Sequence, residues 1–125
     1  MKEWCLMVRF EGLIPFYGTD DLDSTDRFYK DQLGLSLHKD QGVCRIYEVL
    51  PGGWIGFCTH MEVAIGEHSP IITLLTEKVD EVYQSLKKFD CDLGDPPQEN
   101  PRFKIYHFFV RDPNGYLVEV QKFLD

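Results

Sequence analysis

Two halves of the chain repeat one order of apolar and polar positions. In the first half, residues 13–19 form an apolar, strand-like run that includes Leu13, Ile14, Phe16 and Tyr17. A helical pattern then starts at Asp23, which can cap it, with Asp26 three residues on and Tyr29 and Leu33 one turn apart. Gly34 supplies the stop, so the spacing predicts a helix near 23–33. Two short strand runs follow, Leu35–His38 and Val43–Leu50. A turn through Pro51, Gly52 and Gly53 leads into a last run from Trp54 to His60.

The second half reads the same way. Residues 70–75 form a strand, and Thr76 can cap a helix near 77–89. Its apolar positions Val79, Val82, Leu86 and Phe89 are spaced three, four and three apart, an amphipathic stripe. Cys91–Leu93 is a short strand candidate, Asp95–Pro101 a proline-rich loop, and residues 103–110 alternate as a strand. Asp112, Pro113, Asn114 and Gly115 have the signature of a type I turn, and Tyr116–Phe123 closes the chain as a strand. The expected organisation is a single domain over 1–125, with module one at about 12–60, a linker at 61–69 and module two at about 70–123.

Alternation in the last strand separates two faces. Val118 and Val120 share one, suited to packing on a helix; Leu117, Glu119, Gln121 and Phe123 share the other.

Composition narrows the partners. The 125 residues carry a net charge of −8, which argues against nucleic acid and anionic membrane surfaces and favours cationic ligands. No apolar run approaches the ~18 residues of a membrane span. The N-terminal residues lack a signal-peptide pattern, so the expected address is cytoplasmic. Cys5, Cys44, Cys58 and Cys91 show no CxxC spacing, and in that compartment they are expected to be thiols in the core. No phosphate-binding glycine motif and no nucleophile elbow is present.

Asp21 and Leu22, then Phe28 and Tyr29, then Leu33, Gly34 and Leu35 resemble the first-helix signature of the vicinal oxygen chelate superfamily. Phe108 to Glu119 resembles its closing hairpin. The superfamily includes glyoxalase I, extradiol dioxygenases, fosfomycin resistance proteins and bleomycin resistance proteins. The resemblance implies an α+β fold of two βαβββ modules whose curved mixed sheets form a cup. It also implies a small-molecule ligand and a homodimer.

In metal-using relatives the cup holds one divalent ion on ligands from the first and last strands of each module. Carried over residue by residue, the resemblance makes Glu119 a ligand, and counting back from the second helix reaches Ser69, beside His68. In module one the count reaches Ile14 and Phe57, which have no donor atom; Cys58 is the neighbour of the second. Zinc, nickel, manganese or iron would then be held weakly, by Glu119 and His68. Apolar groups take the place of the metal: Ile14, Phe16, Phe57, Trp54 and Tyr106 are the expected ligand-binding residues of an aromatic-lined cup. Three functions remain open at this point. The chain is a small-molecule binding protein with a degraded metal site, a metal-dependent lyase or transferase of the glyoxalase or fosfomycin-resistance sort, or a structural or regulatory module.

Overall fold

The computed structural model of the chain describes residues 9–125, so Cys5 and the N-terminal segment considered above lie outside the described residues. Two mixed sheets carry one helix each, an α+β architecture. The first sheet has strand order β1-β4-β3-β2, from β1 (Phe16–Gly18), β2 (Ser36–Asp40), β3 (Cys44–Leu50) and β4 (Gly53–Cys58). The second has order β5-β9-β8-β6, from β5 (Ile72–Leu75), β6 (Asp92–Leu93), β8 (Ile105–Arg111) and β9 (Leu117–Phe123). In each, the first strand runs parallel to the last and the others pair antiparallel, so the repeat of element order is a repeat of topology. The proline-rich stretch contains a short strand the sequence pattern does not predict, β7 (Gln98–Asn100), paired to β8.

The first helix, α1, starts at Leu22 rather than Asp23, because Asp21 is its cap: the Asp21 carboxylate accepts from the amides of Asp23 and Ser24. After Asp26 the helix widens into a π-type stretch, Arg27–Gln32, where the Leu33 amide donates to the Phe28 carbonyl. Gly34 follows at φ 83°, a left-handed position that glycine takes without steric cost. The second helix, α2 (Val79–Leu86), buries Val79 and Leu86 as the stripe predicts. It ends before Phe89, which is 40% exposed.

The helices cover one face of each sheet, and the core lies between. Tyr29 of α1 sits among Phe57, Tyr47 and Phe28, and Tyr83 of α2 meets Phe108 edge-on with ring centroids 5.2 Å apart. The modules are stitched together at this level. The Tyr29 hydroxyl donates to the Asp112 carboxylate (2.7 Å) and the Tyr116 hydroxyl to the Gly18 carbonyl (2.8 Å). Asp112 also accepts from the amides of Asn114 and Tyr116, so the turn between the last two strands is held by a buried carboxylate.

Burial pushes the Asp112 carboxyl above its ordinary range, outweighing these donors. A raised folded pKa makes a contribution to stability that is present below the unfolded value and is lost as pH rises through the folded one. Asp112→Asn keeps an oxygen for the two amides and cannot ionise. The expected result is that chemical unfolding of Asp112→Asn loses a component of destabilisation that the natural chain acquires from about pH 4 upward. Parallel stability–pH curves for the two would contradict this.

The cysteine expectation is corrected. Cys44 and Cys58 are bonded as a disulfide, because strands β3 and β4 place them directly opposite one another, Cα atoms 4.1 Å apart. Strand pairing brings them together, and a separation of 14 residues gave no sign of it. Cys91 is the only free cysteine among the described residues; its thiol donates to Gln32, and burial pushes its pKa up. No helix among the described residues is long and apolar enough to cross a membrane.

Candidate functional site

The face of sheet two away from α2 carries an open groove of about 560 Å³. Apolar walls come from Ile71, Phe103, Ile105, Phe109 and Phe123. The polar groups His107, Glu119 and Gln121 sit among them, on adjacent strands β8 and β9. The placement follows from period-2 alternation: Phe108, Val110, Val118 and Val120 are buried under the helix, so their neighbours in sequence point the other way.

Glu119 is held at both oxygens. Its Oε1 accepts from the Thr73 hydroxyl across the parallel β5–β9 pair (2.9 Å), and its Oε2 lies 2.6 Å from His107 Nδ1. An ionised carboxylate only accepts, so the hydrogen belongs on His107 Nδ1, and Nε2 is left for another partner. The His107 ring stands edge-on to Phe109, centroids 5.1 Å apart. Glu119 is 8% exposed, so this is a shielded polar chain in an apolar surround. Next to it, the buried Gln121 Oε1 has no hydrogen-bond donor among the described residues.

Glu119 and Phe16 lie on the open faces of their sheets; Phe57 and Tyr106, expected among the ligand-binding residues, lie on the helix side. Phe57 is fully buried on the helix side, against Tyr29 and Tyr17. Phe57 stands four residues beyond Gly53, as Glu119 stands four beyond Gly115. The left-handed turn glycines are Gly52 (φ 85°) and Gly115 (φ 99°), and four residues beyond Gly52 is Gly56. Tyr106 also lies on the helix side, donating to Asp80 of α2 at 2.6 Å, a contact that raises the phenol pKa. Ile14 is half-buried and precedes the paired stretch of β1. Trp54 borders a second cleft, of about 300 Å³, where Leu13, Pro15 and Tyr17 of the first half face Ile71 to Leu74 of the second. His68 is exposed in the loop before β5 and is not among the groove residues.

The register also locates the counterparts of Thr73 and Glu119 in module one. They are Phe16 and Gly56, direct partners across the parallel β1–β4 pair. A Cβ on Gly56 would lie 2.5 Å from the Phe16 ring, so the ring occupies the space a side chain would need. Neither residue offers a donor atom, and Glu119 already serves Thr73 and His107. These positions do not fit a divalent ion shared between the two modules. His107 is the residue that sequence reasoning missed as a partner of Glu119. The signal was present in the alternation of residues 103–110, which puts His107 and Phe109 on the face opposite Phe108 and Val110.

A family model described as Glyoxalase/Bleomycin resistance protein/Dioxygenase superfamily matches residues 15–120. A glyoxalase/bleomycin resistance protein/dioxygenase from Alicyclobacillus acidocaldarius superposes with TM-score 0.76 at 16% identity, over 91% of this chain and 92% of that one. TioX from Micromonospora sp. ML1 gives 0.74 at 18% identity, over 89% and 97%. A lactoylglutathione lyase from Agrobacterium tumefaciens gives 0.72 at 20% identity, over 88% and 91%. At these identities the likeness is one of fold. No curated protein matches the sequence.

Proposed function

Because the chain belongs to the glyoxalase/bleomycin resistance protein/dioxygenase superfamily, we propose that it binds a small planar aromatic molecule in the groove on sheet two, by contact alone. The observation that carries this reading is the pairing of apolar walls with a fixed polar chain. Phe103, Phe109 and Phe123 offer ring surface, while His107 Nε2 and Gln121 Oε1 have no hydrogen-bond partner among the described residues and can take an N–H or O–H group. A ligand with a hydrogen-bond donor beside its ring satisfies both kinds of surface. The net charge of −8 favours a cationic one.

The reading of a metal-dependent lyase or transferase is less well supported, since the donors it needs in module one are replaced by Phe16 and Gly56. Binding is therefore expected to be independent of divalent metal. Treatment with EDTA followed by dialysis should leave the affinity for an aromatic ligand unchanged; a loss restored by zinc or nickel would favour the metal-dependent reading instead.

The groove is open on one side, with Ile71, Phe103 and Phe123 at 48%, 60% and 59% exposure. A second copy of the chain closing over it accords with the homodimer that the family resemblance implies. Sedimentation equilibrium should then report twice the 14.6 kDa of one chain.

The function itself is tested by a thermal-shift panel of planar aromatic amines, with the acridine proflavine as the first probe. A saturable rise in unfolding temperature with the aromatic amines, and none with aliphatic amines of equal charge, is the expected result. A panel with no response at all would return the chain to the structural or regulatory reading.

A further inference from the structure

We propose that Cys44, Cys58 and His60 form a redox-gated zinc site in module one, closed when the two sulfurs are bonded to each other and open when they are reduced. The site shares no residue with the sheet-two groove and does not rest on the binding function proposed above.

The geometry comes from strand pairing. Cys44 and Cys58 face each other across β3 and β4 at a Cα separation of 4.1 Å, the close spacing of a non-hydrogen-bonded antiparallel pair. The strands hold the sulfurs together whether or not a bond joins them, so reduction yields two preorganised thiols. Two residues beyond Cys58, His60 brings its Nδ1 to 3.9 Å from the Cys44 sulfur. One ligand atom from each of the three residues lies within 4.8 Å of the other two. Tetrahedral zinc, with Zn–S of about 2.3 Å and Zn–N of about 2.0 Å, needs its donors roughly 3.5–3.8 Å apart; the His60 Nδ1 to Cys44 sulfur distance of 3.9 Å is close to that, and the two sulfurs part to reach it once their bond is reduced.

The histidine is also held in place. The Met61 amide donates to the Cys58 carbonyl, and so does the Thr19 amide. The Glu62 carbonyl passes so close to Gly18 that a Cβ there would sit 2.1 Å from it. The turn carrying His60 is thus clamped against β1. Burial separates the roles: Cys44 and Cys58 are 6% and 2% exposed, while His60 is exposed and offers the ion a way in.

The chemistry balances with a dithiol as reductant. Two electrons and two protons pass from the dithiol to Cys44 and Cys58, and the dithiol closes to its own disulfide. Zinc then displaces both thiol protons and takes the lone pair of neutral His60 Nδ1. Two thiolates neutralise the ion, which suits sulfurs buried this deeply, and a fourth position stays open to solvent. Oxidation of the thiolates to the disulfide removes two ligands at once and releases the ion.

Cobalt substitution tests the proposal. The whole chain is reduced with dithiothreitol, freed of it under nitrogen, and titrated with cobalt chloride; a second sample is first oxidised with diamide. The reduced protein is expected to develop a thiolate-to-cobalt charge-transfer band and the visible bands of tetrahedral cobalt. These should saturate at one equivalent and be abolished by one equivalent of zinc. The oxidised protein should show none. His60→Ala should weaken cobalt binding by at least about tenfold, the lower end of what even outer-shell changes cause, while the charge-transfer band persists at saturation. The proposal is overturned if the reduced natural chain gives no thiolate band. It is equally overturned if the band survives in folded Cys44→Ser/Cys58→Ser, which would assign it to another cysteine.

Discussion

Phe57→Ala is expected to lower the free energy of unfolding by about 3–5 kcal/mol, the range for removing a buried phenylalanine ring. The ring is fully buried and lies where α1, β1 and the second module meet. Its centroid is 4.6 Å from that of Tyr29, 5.8 Å from that of Tyr17 and 6.4 Å from that of Tyr116. Alanine would leave a cavity lined by four tyrosines, three of whose hydroxyls are committed: Tyr29 to Asp112, Tyr47 to Asp26 and Tyr116 to Gly18. Those bonds restrain the rings from collapsing inward, which puts the cost toward the upper end. For a domain of this size the thermal midpoint should fall by roughly 10–20 °C. Phe16→Ala, by contrast, removes a ring that is 42% exposed and should cost under about 1.5 kcal/mol. A small effect at Phe57 together with a large one at Phe16 would reverse the assignment of faces.

His107→Ala should weaken binding of a planar aromatic ligand by about 1–3 kcal/mol, or roughly 5- to 150-fold in Kd, the cost of losing one hydrogen bond in a shielded site. Glu119→Ala should cause a similar loss although it contacts no ligand in this reading, because the carboxylate fixes the tautomer and orientation of His107 at 2.6 Å. The two effects should not add. The double variant should lose little more than either single one, since both remove the same oriented ring. Tyr106→Phe provides the control. Its hydroxyl is bonded to Asp80 on the helix side, so affinity should be unchanged. Isothermal titration of proflavine into the four variants reads all of this. An effect at Tyr106 with none at His107 would place the ligand elsewhere.

The fold was legible because the two modules repeat. A helix stripe at Val79, Val82 and Leu86, alternation in 117–123, and a turn glycine in each half constrain the same topology. Register was less legible. Gly52 and Gly53 are adjacent, and only the backbone shows that Gly52 is the left-handed one. A slip of one residue in a strand moves every side chain to the other face, and counting from Gly53 in place of Gly52 is the slip that turns Phe57 into the cup. Exact partners across the hairpins were not legible. Nothing local to Cys44 or Cys58 fixes the register that sets them opposite, and alternation gives the face of His107 but only the register of β8 with β9 brings it to Glu119. The sequence already leaves module one without a donor at the counted positions, Ile14 and Phe57. The observed register strengthens that conclusion by putting Phe16 and Gly56 in those places.

The most direct test of the account is chemical-shift mapping of proflavine on the isotope-labelled chain. The prediction is a saturable set of perturbed signals confined to the open face of β8 and β9, centred on His107, Phe109, Glu119 and Gln121, with the side-chain amide of Gln121 moving most. Perturbations centred instead on the cleft between Leu13–Tyr17 and Ile71–Leu74, or no saturable change at any signal, would contradict it.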